Sequence, residues 1–363
     1  MAQETGREKR KQGAIFMSII TIVGAGMMGS AIGIPAADNG HEVRLVGTPL
    51  DREIIDHARK TGNHLTMKRK LPDTYKYYQF EEMQEALKGA DLMVGGVSSF
   101  GVEWFAEKVL KVVDKELPIL TVTKGMMDDE EGNLMVYPDL FEKLSGNRGL
   151  KLNAVGGPCT SYELADLDYT EVTFCGKDIE LLRWIRSLFE TDYYNVSVSN
   201  DVIGVEAAVA MKNAYALGVS LAIGLSEKRE GVEGKEHYNS QAAIFGQASK
   251  EMKKVLAFMG AQEESLMLGT GDLYVTVFGG RTRKIGTLLG RGLSFDEAME
   301  TLKGVTLESI VIATRSARAV KKKIAVGELN EADFPLLMHI YEIIVDKKPV
   351  NVPWKKFEKE III

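Results

Sequence analysis

Two groups of residues in this 363-residue chain have types and spacing suited to chemistry. The first is Gly24-Ala25-Gly26-Met27-Met28-Gly29, a G-x-G-x-x-G run. Such a run is weak evidence until a strand precedes it and a helix follows. Then Gly24 permits a tight turn, Gly26 lets the backbone approach a pyrophosphate, and Gly29 lets helix and strand pack closely. The helix N-terminus adds N–H donors and a partial positive charge. The second is Lys212, a lone cation inside the apolar run Val202–Leu225. A lysine so placed snorkels, pairs or reacts. On the residues alone, a satisfied structural lysine and a proton-transferring one are equally open. Two further candidates are Lys124, just past the carboxyl end of an expected strand, and Arg281 in the basic loop GGRTRK (Gly279–Lys284). Ligands gather at strand ends in open α/β sheets. A guanidinium offers a planar fork to phosphate oxygens, although a basic loop can equally be a solvated surface.

The elements that must position these residues alternate. SIITIV (Ser18–Val23) is β-branched and apolar and reads as a buried strand. The glycine turn follows, then helical character over Ser30–Asn39, a stop at Gly40 and a second strand, Glu42–Val46. That is a βαβ unit. An NAD site places an acid near the end of this second strand to hold the ribose 2′-OH. Gly47 stands there, with Thr48 and Arg52 beyond it. Thr48 and Arg52 suit a 2′-phosphate, so the cofactor is NAD or NADP with a lean to NADP, unless Asp51 is displaced toward the ribose. Helices are expected at Phe80–Lys88 and Val102–Val113. Strands are expected at Leu92–Val97, Pro118–Thr123, Leu152–Gly157 and Glu171–Gly176. Continuous apolar strands between amphipathic helices indicate a mostly parallel sheet covered on both faces.

After about Asp201 the pattern becomes helical, with Val202–Leu225, Asn239–Met259, Phe295–Leu302, Leu307–Lys322 and Pro335–Val345. The expected fold is therefore α/β. A Rossmann-type, doubly wound, mostly parallel sheet domain (17–201) precedes an all-helical C-terminal domain (202–363), and residues 1–16 form a disordered extension. Ala14–Ala37 carries no charge and follows the basic cluster Arg7–Lys11, which raises a membrane helix as an alternative; Val202–Leu225 raises it again. The βαβ alternation breaks the first run into strand, turn and helix. The Lys212-Asn213 pair in mid-run favours a buried core helix for the second.

The net charge of −6 and pI of about 5.6 exclude a general affinity for nucleic acid or anionic membrane, which needs a basic surface. Cys159 and Cys175 read as reduced thiols of a cytoplasmic protein rather than a disulfide scaffold. The five histidines have no metal-ligand spacing, so no metal is expected.

Five segments carry a family resemblance: VTKGM (Val122–Met126), GGPCTSYELA (Gly156–Ala165), AMKNAYALG (Ala210–Gly218), NSQAAIFGQASKEM (Asn239–Met252) and GTGDLYVTVFGGRTRK (Gly269–Lys284). In this order and spacing the chain resembles the soluble NAD(P)-dependent glycerol-3-phosphate dehydrogenases, from Ile19 to Val345. The resemblance implies reversible hydride transfer between nicotinamide and dihydroxyacetone phosphate, running toward glycerol 3-phosphate for phospholipid synthesis. It implies Lys212 as general acid/base and Lys124 as a lysine that reaches the substrate. A second ammonium and desolvation would lower the Lys212 pKa. Asp272 would pair with a lysine and orient Lys212, with a cap beside Gly271 as the plainer alternative. Asn213, Thr276, Arg281 and Thr282 fall on the substrate side, and Ser98, together with Lys124 in a second role, on the cofactor side.

Partners are then a small phosphorylated substrate and, as an assembly open to the chain, a homodimer; no nucleic acid and no integral membrane segment are expected. The sequence departs from the family at Thr282 (commonly Asn), Cys159 (Ser), Ser98 (Pro, in the strand end written V-P-S) and Gln247 (often Arg in bacterial members). Those departures bear on the substrate. A reductase of another polyol phosphate or a keto acid stays open, as does a non-catalytic nucleotide sensor, which would leave Lys212 without a task.

Overall fold

The computed structural model of the protein describes residues 17–357; the extension expected at residues 1–16 lies outside them. Among the described residues there are ten strands: β1 (Ile19–Val23), β2 (Glu42–Val46), β3 (Lys76–Tyr78), β4 (Leu92–Gly95), β5 (Ile119–Thr121), β6 (Met126–Asp128), β7 (Leu134–Val136), β8 (Leu152–Gly156), β9 (Thr170–Gly176) and β10 (Tyr194–Ser199). Eight of them form one sheet in the order β10-β9-β8-β5-β4-β1-β2-β3, while β6 and β7 pair as a separate hairpin. Every neighbouring pair in the large sheet is parallel except β8–β9. The strand order reverses between β1 and β4, which opens a crevice at their carboxyl ends. Ile20, Ile22 and Val23 of β1 are fully buried, as a strand covered on both faces requires.

The covering helices are α1 (Met27–Ala31), α2 (Gly33–Asp38), α3 (Arg52–Thr61), α4 (Met83–Leu87), α5 (Val102–Phe105), α6 (Tyr137–Ser145), α7 (Ser161–Ala165) and α8 (Ile179–Phe189). The helix after the glycine turn starts earlier than expected, at Met27. It is broken at Ile32 into α1 and α2 because Pro35 has no N–H to give the Ala31 carbonyl. α5 runs on as a π-helical turn over Ala106–Leu110.

From Val202 onward the described chain is helical: α9 (Val202–Glu230), α10 (Tyr238–Phe258), α11 (Leu266–Val277), α12 (Gly280–Arg291), α13 (Phe295–Thr301), α14 (Glu308–Ala325) and α15 (Pro335–Ile344). α9 is apolar all round, and such a helix must be covered on every side. It is the axis against which α10, α11, α12, α14 and α15 pack. By length and composition it could cross a membrane, yet 83% of its most apolar window is buried inside the protein. The Asp201 carboxylate fixes its start, accepting from the Gly204 N–H at 3.0 Å. The same carboxylate accepts from the Gln262 N–H at 3.0 Å and the Ser265 hydroxyl at 2.7 Å, which ties the entry of α11 to the start of α9.

GGRTRK, expected as a loop, opens α12, and GTGDLYVTV, outside the expected helices, lies in α11. Glycine lowers helix propensity, but burial of Leu273, Val277, Ile285 and Leu289 in the helical core overrides it. β3 and β10 escaped notice because edge strands are short or polar on one side.

Candidate active site

The glycine turn sits at the reversal of strand order. Gly24 has φ +116°, and its N–H donates to the Val46 carbonyl at 2.9 Å. A Cβ on Gly24 would lie 2.6 Å from the carbonyl carbon of Gly96, and one on Gly29 would lie 2.1 Å from the Gly24 oxygen. Gly24, Gly29 and Gly96 therefore let the turn, α1 and the end of β4 meet at backbone contact. A Cβ on Gly26 would meet nothing within 4 Å. The open side of the turn is thus at Gly26, and the first turn of α1 has no side-chain cap on its N–H groups. Tight packing behind and free amides in front fit a dinucleotide pyrophosphate. Met27 is partly exposed and Met28 half-buried, whereas Ala25 is fully buried behind the turn.

At the end of β2 the Thr48 hydroxyl and N–H both donate to Asp51 Oδ2, at 2.8 Å each, and the Ala25 N–H joins them at 3.1 Å. Asp51, one turn later than Gly47, thus has its carboxylate turned back onto Thr48 and the glycine turn. Arg52 is exposed at the start of α3 and pairs with Glu81. Ser98 is exposed beyond β4; its neighbour Ser99 donates to Glu308 of α14 at 3.1 Å, across the crevice.

On the facing side three charged residues converge. Lys124, in the loop after β5, donates from Nζ to Asp272 Oδ2 at 2.6 Å and to the Gly157 carbonyl at 2.7 Å. Lys212, in the middle of α9, donates to Asp272 Oδ1. Asp272 is 1% exposed within α11, so it is no cap. Burial pulls Lys212 below the ordinary lysine range, and the Lys124 ammonium pulls the same way; Asp272 only partly restores it. Burial also pulls at Lys124, but the charge and hydrogen bond of Asp272 outweigh it and hold this lysine above the ordinary range. The two lysines sharing one carboxylate are therefore unequal. Burial pushes the neighbouring Cys159 thiol up to about 12, which leaves it protonated and a poor nucleophile.

The substrate-side residues fall on the same elements. Asn213 follows Lys212 on α9 and is half-buried. Thr276 is one turn after Asp272, and its hydroxyl donates back to the Asp272 carbonyl at 2.7 Å. Arg281 is exposed in the first turn of α12 and makes no ion pair among the described residues, while Thr282 beside it is buried. No bond among the described residues joins Arg281 to the lysine pair.

Sequence reasoning passed over three residues here. Gly96 looked like strand. Glu308 sat in an unremarkable helix start. Glu206 shares α9 with Lys212 yet is fully buried, and neither carboxyl oxygen has a hydrogen-bond partner among the described residues. Burial pushes it up to about 8, against the pull of Lys124. The signal for Glu206 was available, since an acid in an apolar helix is as unusual as a lysine there.

The sequence matches the family described as NAD-dependent glycerol-3-phosphate dehydrogenase, its N-terminal part over residues 19–182 and its C-terminal part over residues 201–355. It is 32% identical over 332 residues to an NADP(+)-dependent glycerol-3-phosphate dehydrogenase of Archaeoglobus fulgidus, covering 90% of this chain and 95% of that one. It is 30% identical over 336 residues to a glycerol-3-phosphate dehydrogenase [NAD(P)+] of Shouchella clausii, covering 90% and 92%. The fold is shared with the solved structure of Plasmodium falciparum glycerol-3-phosphate dehydrogenase, at a TM-score of 0.79 and 20% identity over 98% of each chain. With the two family regions spanning sheet and helices alike, the chain belongs to the NAD-dependent glycerol-3-phosphate dehydrogenase family.

Proposed function

We propose that the protein is an NAD(P)-dependent sn-glycerol-3-phosphate dehydrogenase, catalysing sn-glycerol 3-phosphate + NAD(P)+ ⇌ dihydroxyacetone phosphate + NAD(P)H + H+. The observation that carries this reading is the pair of unequal lysines on one buried carboxylate, at the mouth of a crevice whose other wall is a dinucleotide turn. The nicotinamide supplies or receives the hydride. Proton transfer is then the work left to the chain. Lys212, held below the ordinary lysine range, gives its proton to the oxygen of the ketone in reduction and recovers it in oxidation. Lys124 keeps its charge and steadies negative charge developing on that oxygen. Asp272 orients both ammonium groups and does not itself react.

In this reading residues 17–201 hold the dinucleotide through Gly24–Gly29, with Thr48, Arg52 and Ser98 at its rim. Residues 202–363 bring Lys212, Asn213, Asp272 and Thr276 to the substrate. Arg281 and Thr282, at the start of α12, hold the substrate phosphate, the arginine as an exposed fork without a competing carboxylate. The lean to NADP(H) rests on Gly47 where an NAD site keeps an acid and on the name of the archaeal relative. A cytoplasmic location is supported by two free cysteines.

The test is to mix purified protein with NADH or NADPH and dihydroxyacetone phosphate and follow nicotinamide absorbance. Turnover with either cofactor is expected. No turnover with either overturns the assignment, and faster turnover on another polyol phosphate or a keto acid moves it to that substrate.

A further inference from the structure

Ala25, the residue between the first two glycines of the turn, is held from two sides. Its N–H donates to Asp51 Oδ2 at 3.1 Å. Its carbonyl lies 2.9 Å from Nε2 of His64, in the loop after α3, and takes a second, longer bond from the Ser30 hydroxyl of α1 at 3.3 Å. His64 is 1% exposed. The tautomer follows from the other ring nitrogen. The Met67 backbone N–H lies 3.0 Å from Nδ1 and can only donate. Nδ1 is therefore the acceptor, and Nε2 carries the proton that the Ala25 carbonyl receives. Burial holds the imidazole below its ordinary range, against the pull of the Ala25 carbonyl and Asp51. Near neutral pH the ring is thus neutral with both nitrogens engaged.

The placement matters because Ala25 has glycine on both sides. Glycine leaves the backbone free to take several conformations. A turn that must present its amides in one orientation needs restraint from outside the turn, and a preorganised site binds more tightly because less is lost on binding. A core-filling side chain would reach the same cavity without donating to the turn. The bond from His64 instead lands on the single non-glycine residue of Gly24-Ala25-Gly26.

We propose that His64 is a positioning residue for the cofactor: with Asp51 on the opposite side of Ala25, it fixes both peptide planes of that residue and so sets how the backbone of Gly26 and Met27 is presented to a dinucleotide pyrophosphate. This rests on the dinucleotide reading given above. Asp51 serves a second purpose in the same device, because its Oδ2 also takes the N–H and hydroxyl of Thr48 and so links the turn to the end of β2.

Two substitutions separate the contacts. His64→Asn keeps an acceptor near the Nδ1 position for the Met67 N–H and withdraws the donor from Ala25. His64→Gln keeps a donor able to reach the Ala25 carbonyl. NADH and NADPH binding is measured by nicotinamide fluorescence without substrate, alongside kcat and cofactor KM. His64→Asn is expected to raise the Kd about tenfold, as the loss of one net hydrogen bond implies, with kcat at saturating cofactor unchanged. His64→Gln is expected to recover most of the affinity. In the cofactor-free protein, the bonded amides of Ala25 and Ser30, which donate to Asp51 and to the Gly26 carbonyl, should exchange faster in His64→Asn while those of β1 do not. This exchange reports on the turn even where binding is too weak to titrate. If the wild type binds either cofactor and His64→Asn binds it equally well, the proposal falls and the dinucleotide reading stands. If the wild type binds neither cofactor, the dinucleotide reading falls and takes the proposal with it.

Discussion

Lys124 and Lys212 compete for one carboxylate, and the competition divides their labour. Asp272 holds Lys124 charged, while burial and the Lys124 ammonium leave Lys212 the easier to deprotonate. Lys212→Ala is therefore expected to lower kcat by about 10²- to 10⁴-fold, the usual worth of a positioned acid or base. Nicotinamide fluorescence should show an unchanged cofactor Kd; wild-type kcat would remove Lys212 from the mechanism. Arg281→Ala should raise the KM for dihydroxyacetone phosphate about 10- to 100-fold, as for a lost charged hydrogen bond, and an unchanged kcat/KM would put the phosphate elsewhere. Glu206 adds a charge that depends on pH. Burial pushes it up to about 8, so below that pH it is neutral and the two lysines outweigh Asp272. Above it, the carboxylate offsets Lys124 and weakens the hold on an anionic substrate. Glu206→Gln should match the wild type near pH 7 and keep a higher kcat/KM than the wild type above pH 8. Superimposable profiles from pH 6 to 10 would sink that role.

At the scale of elements, one buried acid staples the helical layer. Glu251 of α10 accepts from the Leu336 and Leu337 N–H groups at the start of α15, at 2.7 and 2.9 Å, and from the Tyr215 hydroxyl of α9 at 3.2 Å. Gln247 completes the set at 2.9 Å with a neutral amide. Burial pushes Glu251 up to about 7 from 4.5, although all four donors pull it down. The folded state therefore holds a proton that the unfolded state releases. This contribution is complete below pH 4.5 and is lost as pH rises to about 7. Glu251→Gln should flatten the fall in Tm across that window, read by thermal melts at several pH values. A slope equal to the wild type's would show that the carboxyl is ionised throughout.

At the scale of the whole molecule, the chemistry depends on how α9 lies on the sheet. Lys212 belongs to the helical layer and Lys124 to the sheet, so their shared bond to Asp272 is a statement about the packing of two layers. A Cβ on Gly156, at the end of β8, would lie 2.4 Å from Cγ1 of Val205 in α9. The β6–β7 hairpin adds a second tie. Met126 and Val136 sit in the helical core, and Arg318 of α14 makes two bonds to Asp128, at 2.9 and 2.8 Å. Gly156→Ala should push α9 outward and lower kcat by about tenfold or more, since small misplacements cost orders of magnitude. The cofactor Kd should hold, because the glycine turn lies on other elements. Equal kcat in variant and wild type would show that the layers adjust without cost.

The local signals in the sequence reached a long way. Apolar β-branched runs between amphipathic helices determined a doubly wound sheet, because a strand buried on both faces is mostly apolar and its few polar residues, such as Thr21 and Asn153, must be hydrogen-bonded. A lone lysine in an apolar helix marked itself, because burying an ammonium is costly unless it is paired. Glycine at 24 and 29 specified a turn whose contacts only a residue without Cβ can make, and glycine at 26 left its outer side open. Other features were not local and could not be read that way. GTGDL and GGRTRK carry helix-breaking glycines, and only burial against α9 makes them helical. Gly96, His64 and Glu206 matter through neighbours far away along the chain. The Asp272 carboxylate is shared by residues 124 and 212, which meet only after both layers have packed. The sequence by itself determined which elements form and which residues carry charge into the interior. The tertiary structure alone decided which charges face one another, because Coulomb and hydrogen-bond energies depend on distances in space that spacing along the chain does not set.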